Sequence, residues 1–329
     1  MFRALVLHRE DGAVRPALEE VDESRLPEGD VLIDVAYSSL NYKDGLAVTD
    51  RGKIVRADYP FVPGIDLAGT VAESASPDFR PGDGVILTGW GTGEDRWGGF
   101  AERARARAEH LVRLPDGMSP KEAMLVGTAG FTAMLSVMAL EEMGVAPEAG
   151  DVVVTGASGG VGSTAVALLA RAGYRVVAST GTASAHDYLE ELGAAEVIGR
   201  EVLGAGPRRP LDTGRWAGAV DAVGGDTLAA ILSQTKRHGC VAACGLAGSH
   251  ALNTTVFPFI LRGVVLYGID SNTAPPERRE RAWARLAEAV RAGAFAGIET
   301  TIPLSEVVPY SEKIVRGETV GRVVVDVKA

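Results

Sequence analysis

Cysteine is nearly absent from this 329-residue chain, which has only Cys240 and Cys244. Two thiols cannot build a disulfide framework, so the sequence reads as a protein of a reducing compartment, the cytoplasm. Their C-x-x-x-C spacing has no companion His or Cys pair, so no metal site is expected. Positive charge is also scarce: 33 Lys and Arg stand against 43 Asp and Glu, a net charge of -10. Such a surface attracts neither nucleic acid nor an acidic lipid face. No run reads as long and apolar enough to span a bilayer. The opening "MFRALVLHRE" carries charge where a secretory segment would be apolar. What remains is globular composition, 46% hydrophobic and 23% charged, at a length that suggests two domains.

Up to about residue 123, short alternating runs are broken by Gly and Pro. "DVLIDVAYSSL", "LAGTVAES" and "DGVILTG" read as strands, joined by turns such as "LPEGD" and "FRPGD". This predicts a β-rich, partly barrel-like domain. From Ser119 the period changes: a capped short helix leads into a longer apolar helical run over Thr128 to Leu140. The strands "VVVTG", "RVVAST", "AAEVIG", "GAVDAVG" and "GCVAACG" then alternate with helical stretches, the pattern of a parallel sheet with helices on both faces. "GVVLYGIDS" adds a late strand, "PERRERAWARLAEAVRAG" an amphipathic helix, and the tail a strand returning to the first domain.

One stretch, "VVVTGASGGVGSTAVALLARAGYRVVAST" over residues 152–180, combines a buried strand, a glycine turn, a helix and a second strand. Glycines there permit a sharp reversal, a close approach of backbone N–H groups to a pyrophosphate, and close packing of helix on sheet. The N-terminus of the helix, near Val161, adds its positive end. Where the second strand ends, a ribose-binding carboxylate would favour NAD(H); here Ser179 and Thr180 stand instead. Hydroxyls accept a 2′-phosphate without repelling it, which favours NADPH, although both residues can also serve as helix caps.

With these motifs in place, the sequence resembles the acrylyl-CoA reductase (NADPH) family of the medium-chain dehydrogenase/reductase superfamily, whose members are often labelled quinone oxidoreductases. The likeness is carried by "SSLNYKDGLA", "PGIDLAGTV", "LTGWGTGEDRWGGFAE", "GTAGFTAMLSVMALE" and "TTVFPFILRGVVLYGIDS". It implies an α/β fold with a GroES-like catalytic domain, residues 1–123 and 298–329. A Rossmann-type doubly wound parallel sheet, residues 124–297, would bind NADPH. Where zinc-dependent relatives carry Gly-His-Glu, this chain has "PGID", so the resemblance implies zinc-free reduction of an activated carbon–carbon double bond. The substrate would be a 2-enoyl thioester such as acryloyl-CoA or, alternatively, a quinone or enone. A non-catalytic nucleotide-binding protein is a third reading.

Residue by residue, the resemblance implies that Asn41, Tyr42 and Lys43 face the nicotinamide, with Asn41 and Tyr42 catalytic; Tyr42 can also pack a domain interface. Ser158, Gly159, Gly160 and Val161 would contact the pyrophosphate, and Ser179, Thr180 and Arg200 the adenosine end. Leu246, Ile260 and Ser271 would lie on the nicotinamide side, and Arg322 in the tail would also touch cofactor. One departure stands out: the family's Ser-Gly-Arg after the second strand is here Thr180-Gly181-Thr182, which leaves more of the 2′-phosphate to Arg200. The loop residues Arg51, Lys53 and Arg56 are either a site for coenzyme A phosphates or a solvated basic cluster. Trp90 and Trp97 either wall the cleft or pack a turn. The uncharged late strand "VVLYGI" predicts pairing with its twin in a homodimer.

Overall fold

The computed structural model describes all residues, Met1–Ala329. They form two compact units: Met1–Thr128 with Asn272–Arg291 and Gly297–Ala329, and Ala129–Ser271 with Ala292–Ala296.

In the first unit, β1 (Phe2–Glu10) and β2 (Ala13–Val21) make an antiparallel hairpin. The main sheet has seven strands. At its centre β3 (Val31–Leu40) pairs antiparallel with β4 (Asp66–Ser74), followed by β5 (Gly84–Thr88), while β6 (Arg103–Ala106) also pairs with β3 and β7 (Val112–Arg113) with β5. The tail strand Arg322–Asp326 adds to β3, as the sequence predicts, and Glu299–Pro303 lies parallel to it. Alternating apolar positions of these strands, such as Val31, Ile33 and Val35, fill the core with Leu67, Val85 and Phe100. Trp97 packs a small cluster with Phe2, Val6 and Val62, and Trp90 stacks on His110 at 4.9 Å between ring centroids.

The second unit holds a six-stranded parallel sheet. Its strands are β8 (Val152–Thr155), β9 (Val176–Thr180), β10 (Glu196–Gly199), β11 (Trp216–Asp221), β12 (Thr235–Ala243) and β13 (Val265–Gly268). In space they run β10-β9-β8-β11-β12-β13. The order reverses at β8, so its C-terminal end is the switch point where open α/β sheets hold ligands. The glycine turn begins there.

The segment Asn272–Arg291 groups by its contacts with the first unit. The physical reason is local: Trp90 N donates to Asn272 O at 3.0 Å, and the buried Arg279 donates to Thr88 O and Oγ1 at 2.9 and 2.8 Å. One sequence expectation needs correction, that of no bilayer-length run: the helix Pro120–Glu142 is long and apolar enough by length and composition, with a window that is 94% buried inside the protein. Gly127 breaks that helix with φ 51° and ψ -161°, so the two helical segments read from the sequence are both present.

Candidate active site

β3 ends in Ser38, Ser39 and Leu40, and Asn41 then starts a helix, Tyr42–Val48. Asp44 lies three residues past Asn41, and its carboxylate accepts the Asn41 N–H at 2.8 Å, tying down a donor that a helix start leaves free. The other Asp44 oxygen accepts Ile65 N at 2.9 Å, which pins this helix to the segment before β4. Asp66, next along, is 0% exposed and accepts from Asn41 Nδ2 at 2.9 Å, from Thr128 N at 2.9 Å, and from the hydroxyls of Ser39 and Thr128. Arg322 closes the group: it donates to Asn41 Oδ1 at 3.1 Å, Ser39 Oγ at 2.9 Å and Leu125 O at 2.9 Å.

Six side chains from five parts of the chain thus form one buried polar network. Gly127 makes it possible, because the helix break presents Thr128 N to Asp66, and a Cβ at 127 would lie 2.5 Å from the Arg322 guanidinium. Burial and, next, the charge of Asp66 push the Asp44 carboxyl up to about 7, against backbone and side-chain N–H donors that favour its charged form. Asn41 is 8% exposed with its amide engaged on both sides, whereas Tyr42 is 45% exposed. The network therefore fixes the helix start and leaves the Tyr42 ring standing out from it. Arg322, expected at a cofactor, is 2% exposed here and engaged beneath Asn41.

The loop cations are already partnered. Arg51 pairs with Glu312 at 2.9 Å, and Arg56 with Glu94 at 2.7 Å and Asp95 at 3.1 Å. Lys43 also reaches Glu94, at 2.9 Å. An arginine flanked by carboxylates is a weaker phosphate ligand than the sequence suggests, and of the three exposed cations Lys53 alone has no ion pair.

In the second unit, Gly156 turns the chain at φ 58° and Gly159 N closes the turn on Gly156 O at 3.0 Å. A Cβ on Gly162 would sit 2.3 Å from Gly156 O, so helix and turn touch backbone to backbone. The helix Gly160–Arg171 starts at Gly159 with no side chain capping it. Its first N–H groups, with Val161 and Ser158 beside them, are thus left for an anion. At the end of β9, Thr180 Oγ1 bonds Ser158 Oγ at 3.0 Å and accepts Thr182 N at 3.1 Å. Arg200 N donates to Thr180 O at 3.0 Å, and its side chain lies flat on Gly181, where a Cβ would be 2.3 Å from Nε. Ser158, Thr180 and Arg200 therefore meet as one cradle. Ser179 is buried at 3% exposure, while Leu246 and Ile260 are open at 66% and 68%, and Ser271 is half-buried.

Two family models match the chain: the alcohol dehydrogenase GroES-like domain over residues 27–116 and the zinc-binding dehydrogenase model over 160–288. The acrylyl-CoA reductase AcuI of Ruegeria pomeroyi is 49% identical, over 100% of both chains. The yhdH oxidoreductase of Salmonella enterica, solved in complex with NADP, superposes with a TM-score of 0.96 at 52% identity over 99% of each chain. The Bacillus subtilis protein YhfP, named as a quinone oxidoreductase and solved with NAD bound, gives 0.95 at 46% identity over 99% of each chain. The chain belongs to the medium-chain dehydrogenase/reductase family.

One family model carries zinc in its name, and the residues here do not fit that ion. No group of three or more His, Cys, Asp or Glu side chains is placed to hold a metal. Ile65 and Asp66 stand in "PGID", and the Asp66 oxygens are taken up by N–H and O–H donors. Burial pushes the thiols of Cys240 and Cys244 up to about 11 and about 12, so neither is a ready thiolate.

The resemblance names Asn41 and Tyr42 but not Asp44, Gly127 and Thr128, which the structure places beside them, and takes Asp66 only as the place of a missing ligand. The spacing Asn41-x-x-Asp44 is a helix-start signature that points to Asp44. Nothing local to Thr128 announces its contact with Asp66.

Proposed function

We propose that this protein reduces the carbon–carbon double bond of a 2-enoyl thioester with NADPH, converting acryloyl-CoA to propionyl-CoA. The observation that carries this reading is the full-length likeness to the R. pomeroyi acrylyl-CoA reductase. NADPH fits the residues present: the uncapped turn over Ser158 to Val161 suits a pyrophosphate, and the Ser158, Thr180 and Arg200 cradle suits a 2′-phosphate. When bound, the reduced nicotinamide supplies the hydride that the β carbon receives, and a proton from solvent completes the α carbon.

The chain's own part is to place and polarise the substrate. Negative charge gathers on the thioester oxygen as the β carbon is reduced, and a hydrogen-bond donor aimed at that oxygen stabilises the transition state. The Tyr42 hydroxyl is our candidate donor: the ring is half exposed, and the helix carrying it is locked by Asn41 and Asp44. In this role the phenol acts as a hydrogen-bond donor rather than as the proton source. Leu246, Ile260 and Ser271 supply the nicotinamide side in this reading, and Lys53 the remaining cation for a coenzyme A phosphate.

We also place the enzyme in the cytoplasm, on the strength of its free thiols, and as a homodimer. Supporting the latter, β13 ends the sheet, paired with β12 alone, beside exposed Phe257, Ile260 and Leu261. A second reading, quinone reduction, is favoured by the name of the B. subtilis relative. The two separate when NADPH oxidation is followed with acryloyl-CoA, crotonyl-CoA and a simple quinone in parallel. Acryloyl-CoA should give the highest kcat/KM; a faster quinone overturns the thioester assignment. In the same assay Tyr42→Phe should lower kcat about 10²-fold, the lower range for one transition-state donor, with NADPH affinity unchanged.

A further inference from the structure

Glu94 is 5% exposed, unusual for a carboxylate on a loop unless it is paired. Its loop, residues 89–99, is built on glycine for a visible reason. A Cβ on Gly93 would lie 2.7 Å from Gly64 C, one on Gly98 2.1 Å from Gly64 O, and one on Gly99 2.1 Å from Asp66 O. The loop is thus seated backbone to backbone on residues 64–66, which also carry the partners of Asp44 and Asn41. Its tip is held in place, and Glu94 stands on that tip. One Glu94 oxygen takes Lys43 Nζ at 2.9 Å, the other Arg56 Nη1 at 2.7 Å, and its carbonyl accepts Arg56 N at 2.7 Å.

Lys43 directly follows Tyr42. Asp44 anchors the helix start from within, through Ile65 N, and Glu94 anchors it from the outer side through Lys43. We propose that Glu94 is a positioning residue for the reaction, holding Tyr42 in register by clasping Lys43 and Arg56; the proposal rests on Tyr42 acting as described above. The two cations are about half exposed, at 41% and 53% of their side chains, while the Glu94 side chain is 7% exposed. An ion pair of that kind adds little to stability. Geometry is where it counts, because a shift of about 1 Å at a reacting group costs on the order of 10²-fold in rate.

The test is a double-mutant cycle between Glu94→Gln and Tyr42→Phe, read as kcat and KM with acryloyl-CoA and as NADPH affinity by fluorescence. Glu94→Gln alone should lower kcat roughly tenfold, a fraction of that misplacement cost, with NADPH affinity and the thermal midpoint nearly unchanged. Glu94→Asp should recover part of the loss. In the Tyr42→Phe background the same substitution should cost less than about twofold, since the group being positioned is gone. An unchanged kcat in Glu94→Gln overturns the proposal, as does a tenfold loss that persists undiminished beside Tyr42→Phe. A silent Tyr42→Phe overturns the Tyr42 reading itself and the positioning role with it.

Discussion

Gly127 and Gly156 both have left-handed backbones, φ 51° and 58°, and they sit in opposite kinds of surroundings. A Cβ on Gly127 would lie 2.5 Å from Arg322 Nη2, 2.6 Å from Asp66 Oδ2 and 2.7 Å from Ser39 Oγ. On Gly156 it would meet nothing nearer than 3.7 Å. The first unit builds its site from buried side chains that satisfy one another, whereas the second leaves backbone N–H groups open beside a turn. One region is closed and organises the protein; the other is open and waits for a ligand.

The sharpest way to break this comparison is to put alanine at both positions. Gly156→Ala should cost about 1–2 kcal/mol, the strain of a left-handed non-glycine residue. Gly127→Ala adds to that strain a wedge into a buried, charged network, where separating partners typically costs about 3–5 kcal/mol. Urea unfolding of the protein without cofactor should show the Gly127 variant far less stable, or not folded. Equal losses would mean that the network yields to the extra atom and is not a rigid scaffold.

The same contrast explains what could be read from the sequence. The glycine turn and the strands around it were legible because they rest on local backbone rules: a buried strand, glycines where backbone approaches backbone, a helix start; Arg200 came only from the resemblance. The strand-return of the tail was legible as well, since "GRVVVDV" alternates like an edge of a sheet. The closed network was not. It joins Ser39, Asn41, Asp66, Thr128 and Arg322 across some 280 positions of sequence, with Asn41 and Arg322 themselves |i−j| = 281 apart, and no local pattern encodes that meeting. Nothing in "VGRVVV" announces that Arg322 is 2% exposed and bonded to Asn41. The helix Pro276–Arg291 is hard to place for a related reason: its amphipathic pattern says that it packs but not against which sheet.

A second test uses the raised Asp44 carboxyl. Its folded value, about 7, lies above the ordinary 3.8 because burial and the neighbouring Asp66 disfavour its charge. Folding stability from this group is fully present below pH 3.8 and is lost as pH rises through about 7, since only the unfolded chain ionises freely in between. The shift amounts to a few kcal/mol at about 1.4 per unit. Asp44→Asn removes the titration but leaves Ile65 N short of an acceptor, a constant cost of about 1–3 kcal/mol. The slope, not the absolute value, is therefore the readout. Between pH 4.5 and 8 the wild type should lose stability relative to Asp44→Asn, measured by urea midpoints; parallel curves would show that Asp44 stays charged throughout, held by its N–H donors.

The smallest expected effects lie in the open region and concern choice of cofactor. In the proposed reading the glycine turn meets a pyrophosphate common to NADH and NADPH, so it would not discriminate; one relative is solved with NAD bound and another with NADP. Discrimination would then come from the cradle at the end of β9. A hydrogen bond from a charged donor contributes roughly 1.5–3 kcal/mol, so Arg200→Ala should raise the NADPH dissociation constant about ten- to hundred-fold and leave NADH nearly unchanged. Gly181→Ala sharpens the point without removing the charge. Its Cβ would occupy the place of Arg200 Nε, 2.3 Å away, and an exposed, flexible arginine answers by swinging out rather than by unfolding the strand. The expected loss is smaller, about three- to tenfold for NADPH alone, or roughly 0.6–1.4 kcal/mol, with an unchanged thermal midpoint. Fluorescence titration of both cofactors against both variants decides the matter. If Arg200→Ala weakens NADH as much as NADPH, the arginine supports the fold; if Gly181→Ala leaves NADPH untouched, the guanidinium reaches the phosphate from a different pose than the one seen over Gly181.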